Sequence, residues 1–348
     1  MALFVNFQND DIIQEQGIKV TEGFFTGGVG TIGSEALTTA SLSTTQKNYY
    51  YNLQYSSADN LSVTYGHIGG SGSDNVTNVV GETEAVYKHY ANLVLNPINN
   101  GLGDSIDEGF QITSGTLEKD MYFISFERAR MKDRINRKTW TLDLSGSKSA
   151  GTVGTHLYLT DNSEYSAPKG TVVGPRYDVV SGSAGVKVGS TVYGYFYPYV
   201  GLIALAQSKV SASLPGMPGF IDSGSTFRGD GIGLAPELNN DGTADNAWKI
   251  ARCVLKGSHT FRNEEDQAIT SYFCRAKANN FNFSANPTFI SGSLGEFENK
   301  SFAGNPQTFI TTVGLYDAAD NLVAIGKLSK PIKKNFSSEA VVKVQLTY

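Results

Sequence analysis

The sequence predicts a mainly β protein, built of several β-sandwich-like domains with one short helix in its N-terminal half. Three observations lead there. Glycine (38), tyrosine (18) and phenylalanine (19) are abundant among the 348 residues, as expected of many short strands joined by tight turns. Alternation is clearest in "AVVKVQLTY", where Val342, Val344, Leu346 and Tyr348 share one face and Lys343, Gln345 and Thr347 the other. The best helix candidate is "GETEAVYKHYANLVLNP". Val86, Tyr90, Leu93 and Val94 share a face there, acidic residues open it, and Pro97 ends it.

From the N-terminus, the first motif is "GFFTGGVGTIGSEAL", which contains Gly28-x-Gly30-x-x-Gly33, the glycine spacing of dinucleotide-binding folds. Its context fails. The preceding segment is interrupted by Lys19, Glu22 and Gly23, the following one lacks helical periodicity, and the tyrosine strand about 20 residues on has no Asp or Glu before Asp59. A glycine turn is the better reading. "KNYYYNLQYS" and "LSVTYGHI" then read as strands joined by "SADN", and the helix follows. "MYFISFERARMKDRINRKTWTLDLSG" reads as a strand, a basic segment and another strand.

From about Gly146 to Asp245 the composition shifts to loop-forming stretches between short aromatic strands. The expected division is therefore 1–145, a β-rich domain with the helix; 146–245, a glycine-rich middle β domain; and 246–348, a C-terminal β domain. In the last, "AWKIARCVLKG" and "AITSYFCRAKA" read as strands flanking "RNEED". A hairpin centred between Asn263 and Glu264 would set Cys253 opposite Cys274, as two thiols in a reducing compartment. "QTFITTVGLY" and "NLVAIGKLS" flank "DAADN" as a second hairpin, and the final strand should tie the chain end into a sheet.

The composition narrows function. A net charge of −5 gives no general attraction to nucleic acid or anionic membranes, so neither is expected as a partner. No run reaches the ~18 to 20 apolar residues of a membrane span, and "MALFVNFQNDD" lacks the basic opening of a signal peptide. "ELNNDGTADNAW" approximates a calcium loop through Glu237, Asn239, Asp241, Gly242, Thr243 and Asp245, but Trp248 stands where the bidentate Glu should be. His67, His89, His156 and His259 show no ligand or His–carboxylate spacing, and no nucleophile elbow occurs. The chain is therefore expected to be non-enzymatic, with no cofactor and no metal.

Interfaces remain as its means of action. Tyr49, Tyr51 and Tyr55 fall on one face of a strand and Tyr50 on the other, so both faces are expected to meet protein. Arg128, Arg130 and Arg134, in "FERARMKDRINRK", suit bidentate pairing with a partner's carboxylates. Tyr348, at the chain end, joins these candidate interface residues.

Several stretches carry a family resemblance: "YYYNLQYSSADNLSVTYGHIGGSGS", "TEAVYKHYANLVLNP", "MYFISFERARMKDRINRKTWTLDL", "YGYFYPYVGLIAL" and "GSLGEFENKSFAGNPQTFITTVGLYDAADNLVAIGKLSKPIKK". In this order they resemble a virion structural protein of T-even-like contractile-tailed phages of marine bacteria and cyanobacteria. "TFITTVGLYDAADNLVAIGKLSKPIKKNFSSEAVVKVQLTY" is similar in layout to the C-terminal end of the baseplate wedge subunit that forms a dimeric connector. The resemblance implies a non-enzymatic subunit of the phage tail, assembled in the host cytoplasm and located in the virion. Other tail and baseplate proteins would be its partners, and it would form a homo-oligomer. The alternatives are a capsid-decorating or neck protein, or a carbohydrate-binding tail-fibre module.

Overall fold

The computed structural model describes residues 4–22, 31–32, 37–39, 49–55, 57–72, 81–97, 109–147, 153–214, 246–292 and 294–348. The glycine motif at Gly28, Gly30 and Gly33 and the calcium-like residues 237–245 lie outside them. In chain order the first strands are β1 (Ile12–Glu22), β2 (Thr31–Ile32), β3 (Thr38–Thr39), β4 (Tyr50–Tyr55) and β5 (Ala58–His67). Helix α1 (Glu82–Val94), β6 (Asp120–Phe126), α2 (Arg128–Met131), β7 (Arg134–Ile135) and β8 (Thr141–Ser147) follow. Next come β9 (Val153–Asp161), β10 (Lys169–Thr171), β11 (Gly174–Ser183), β12 (Val186–Tyr197), β13 (Leu202–Ala206) and α3 (Gln207–Ser213). The rest are α4 (Asn246–Leu255), β14 (His259–Thr260), β15 (Arg262–Ala276), β16 (Ile290–Ser291), β17 (Glu296–Phe297), β18 (Thr308–Tyr316), β19 (Leu322–Lys334) and β20 (Ala340–Thr347). The protein is mainly β.

The chain divides into two compact units: residues 19–265, and residues 1–18 with 266–348. The expected three-way division differs from this. The 145/146 boundary falls inside β8, and β9, β11, β12 and β13 continue the same sheet. The compositional shift near Gly146 thus marks a change in loops within one sheet. Helix α4 and β14, expected in the C-terminal domain, belong to the larger unit.

In the larger unit, one antiparallel sheet runs β2-β14-β8-β9-β11-β12-β13-β6-β5-β4-β3, with β10 paired to β11. Strand β6 is buried on both faces, which is why "MYFISF" is apolar at every position but Ser125, where an exposed strand would alternate. Met121 and Phe123 point to one cluster, with Tyr87 and Ala91 of α1. Tyr122, Ile124 and Phe126 point to the other, with Ala247, Ile250 and Val254 of α4. The sheet curls so that β4, β5 and β8 all pack on α4. Each fully buried Leu or Phe contributes about 1.5–3 kcal/mol, so this unit holds an ample core of its own.

Helix α1 forms where expected, but its buried side is set by Thr83, Tyr87, Ala91 and Val94, while Leu93 is exposed. The Tyr87 hydroxyl explains the rotation. It donates to the Glu118 carbonyl (2.8 Å) and accepts from the Phe110 amide (3.0 Å), which draws the ring inward. Gly66 lets the helix lie close, since a Cβ there would stand 2.9 Å from the Tyr87 nitrogen.

Two local expectations are corrected. "AWKIARCVLKG" is helix α4, whose Ala247, Ile250, Ala251 and Val254 recur at helical spacing and are buried together. "RNEED" is not a turn but the start of the fifteen-residue strand β15. The expected hairpin is therefore absent, and Cys253, buried in α4, and Cys274, on β15, are both free thiols.

In the smaller unit β15 pairs with β1 on one side and β20 on the other, in the register Ile269↔Thr347 to Ala276↔Ala340. The chain end is tied in, because Tyr348 and Ala268 exchange both backbone hydrogen bonds at 3.0 Å. Strands β18 and β19 form a separate hairpin, as the sequence predicts, and β16 pairs with β17.

Candidate interaction surfaces

The tyrosine strand does not offer two free faces. Tyr51 and Leu53 of β4 turn into the core, and the Tyr51 ring sits 4.7 Å from the Trp248 ring of α4. The chain's own helix thus covers the face expected to meet a partner. Tyr49 is half-buried and Tyr55, at the end of β4, is exposed.

The basic segment is largely spent within its own unit. Arg134 pairs through Nε with Glu264, and Asn136 donates to the same carboxylate. Lys132 Nζ meets Glu265 at 2.7 Å, and the Arg134 guanidinium lies 5.0 Å from the centre of the Tyr199 ring. Backbone and side-chain bonds reinforce the match, with Asn136 N to Arg262 O at 2.8 Å and Asn263 Nδ2 to Arg130 O at 2.6 Å. Of the three candidate arginines, Arg134 is buried, Arg130 is half-buried and Arg128 is exposed, 3.6 Å from Asp133; Arg137, also exposed, donates to the Tyr177 hydroxyl at 2.7 Å. The arginine-rich run and "RNEED" therefore neutralise each other across β7 and β15. Lys132 itself adopts φ 57° and ψ −122°, a backbone conformation unfavourable for a residue with a Cβ, at the turn that aims the segment at β15.

Histidine contacts escaped the sequence reading because they form across strands. Asp143 is paired opposite Tyr158 and Ser145 opposite His156, which brings Asp143 and His156 onto one face of the β8–β9 ladder. His156 Nδ1 lies 2.9 and 3.1 Å from the two Asp143 oxygens. Asp143 is buried and also accepts from the Ser258 amide (3.1 Å) and hydroxyl (3.3 Å). The hydroxyl is directed at the carboxylate and not at the imidazole, so these groups tie the 257–259 turn to the ladder instead of forming a nucleophile–base–acid series. Beneath them, His259 is fully buried; Nε2 meets the Val254 carbonyl at 2.6 Å and Nδ1 accepts from the Asp143 amide. Burial holds its pKa below the ordinary imidazole range, despite the Val254 carbonyl and nearby Asp143. Elsewhere, His67 Nδ1 accepts from the amides of Gly69 and Ser71, and Nε2 stands 3.9 Å from Asp120.

The smaller unit carries the most distinctive surface. Among its described residues only Ala276, Phe289, Leu315 and Ala340 are buried apolar side chains. Phe4, Ile18, Phe283, Leu294, Phe309, Leu322, Val323, Ile325, Phe336 and Val341 are all exposed there. Tyr348 is 68% exposed, although its hydroxyl contacts Thr270 Oγ1. Polar ties stand in for a core. Lys334 is fully buried and donates to the carbonyl oxygens of Ala278 (3.0 Å), Asn282 (2.9 Å) and Asn335 (2.8 Å). The Gln8 amide and the Arg275 guanidinium hold Asp11 below the usual carboxylate range.

Among the described residues, no group of three or more His, Cys, Asp or Glu could hold a metal ion, and no helix is long and apolar enough to cross a membrane. No family model, curated protein or solved structure matches the chain.

Proposed function

We propose that the chain is a non-enzymatic structural subunit of a contractile phage tail, most specifically a baseplate wedge subunit that acts through protein–protein interfaces in the virion. The observation that carries this reading is the disproportion between the two units. The larger has a full apolar core, whereas the smaller, among its described residues, exposes more large apolar side chains than it buries. Ordering the backbone costs about 1–2 kcal/mol per residue, and four buried apolar groups, two of them alanines, contribute little against that. A unit built in this way gains stability where other proteins cover it. The sequence resemblance runs through most of the chain, its wedge-like part is the layout of the hairpin and final strand of this same unit, and it supports the choice of assembly.

Mass determination by light scattering, followed by localisation in intact virions by labelled electron microscopy, tests the reading. A specific oligomer of the isolated chain and label at the distal end of the tail are expected. Label spread over a capsid, or none on virions, overturns it.

A further inference from the structure

The β18–β19 hairpin has two distinct faces. Its inward cross-strand pairs, Thr308–Lys334, Ile310–Ile332, Val313–Gly326 and Leu315–Ala324, are buried or half-buried. Its outward pairs, Phe309–Lys333, Thr312–Lys327 and Gly314–Ile325, are exposed on both strands, and the irregularity after Ile310 preserves this division. Phe309 is 57% and Ile325 68% exposed. Neither strand contains an Asp or Glu. With Lys334 buried on its three carbonyls, Lys327, Lys330 and Lys333 are left exposed, with no carboxylate partner among the described residues. A two-stranded hairpin is marginal by itself in water, so this one gains from being covered.

The geometry points to this outward face as a docking site for a different protein whose contacting surface is apolar at its centre and acidic around it. The claim rests on the assembly reading and adds the chemistry of the neighbour. Charge selects the partner. A second copy packed face to face would set Lys327 and Lys333 against their equivalents, which like charges disfavour. Strand addition along the β19 edge is opposed by Pro331, which has no N–H to give, and by the lysines beside it. A nucleic acid would answer the lysines but leave Phe309, Val323 and Ile325 uncovered. An acidic protein surface satisfies both halves of the face.

Amine acetylation read by mass spectrometry, on the purified chain and on intact particles, tests this. Labelling of Lys327, Lys330 and Lys333 is expected to fall severalfold in particles, and a zero-length carbodiimide should join them to Asp or Glu of a different protein. Equal labelling in both states overturns the site while leaving the assembly reading standing. Crosslinks only between copies of this chain, or protection that nuclease abolishes, overturn the partner. Absence of the chain from particles overturns the assembly reading and this inference with it. The Lys327→Glu, Lys333→Glu double variant changes two exposed side chains and should keep the parent circular dichroism and unfolding midpoint, yet enter particles severalfold less. Undiminished incorporation also overturns the site.

Discussion

Replacing Glu264 by alanine should be among the most damaging single changes in the larger unit. Its carboxylate receives Arg134 Nε and Asn136 Nδ2, and its side chain and that of Arg134 are only 12% and 10% exposed. The loss therefore leaves a guanidinium in a largely dry site without its carboxylate. Removing one member of a buried ion pair costs about 3–5 kcal/mol, and the remaining exposure places the expected loss at the lower end, about 3 kcal/mol. Arg134→Met should cost less, because it also removes the charge that would be stranded, though it forfeits the cation–π contact with Tyr199. The Glu264→Ala, Arg134→Met double variant should then lose less than the sum of the singles by about 1–3 kcal/mol. Urea unfolding of the four proteins, with hydrogen exchange at residues 262–265 as a local readout, measures this. A Glu264→Ala loss below about 1 kcal/mol, or strict additivity, would refute the view that these charges are internal ties.

Other outcomes follow from the same structure. Lys334→Met should destabilise the smaller unit by about 2–4 kcal/mol by leaving three carbonyl oxygens without their donor, seen as earlier loss of exchange protection in β18–β20. His259 is kept neutral in the folded state and protonates on unfolding near its ordinary pKa of about 6.5. Its contribution is thus complete above that pH and declines below it by up to about 1.4 kcal/mol per unit, until the folded imidazole protonates. Denaturant midpoints measured from pH 7.5 to 4.5 should show this slope, flattened in His259→Gln. Gly257→Ala should push the 257–259 turn off β8, since a Cβ would stand 1.8 Å from the Asp143 carbonyl oxygen; a loss above about 2 kcal/mol in thermal unfolding is expected.

The β character was legible because it rests on local patterns: the alternation of "AVVKVQLTY", the doubly buried "MYFISF", and the single well-bounded helix α1. Helix α4 looks like a strand in isolation because Trp248, Ile250, Cys253 and Val254 favour strands, although Ala247, Ile250, Ala251 and Val254 carry the helical spacing. "RNEED" read as a turn because its charges, taken alone, need water. Arg134 and Lys132, some 130 residues earlier, supply the counter-charges that let a strand pass through. The opposite signs of the two stretches were a visible signal of that pairing. The Asp143–His156 contact required the register of β8 against β9, which no spacing along the chain reveals. The burial of Tyr51 has no local signal, because the helix that covers it comes almost 200 residues later.

Hydrogen exchange across β15, β18, β19 and β20, in the purified chain and in intact particles, tests the central claim most directly. The account predicts that these strands exchange far faster than β6 and β13 in the isolated chain and become strongly protected in the assembly. Protection in the isolated chain equal to that of β6 would contradict it, because the smaller unit would then be stable without a partner.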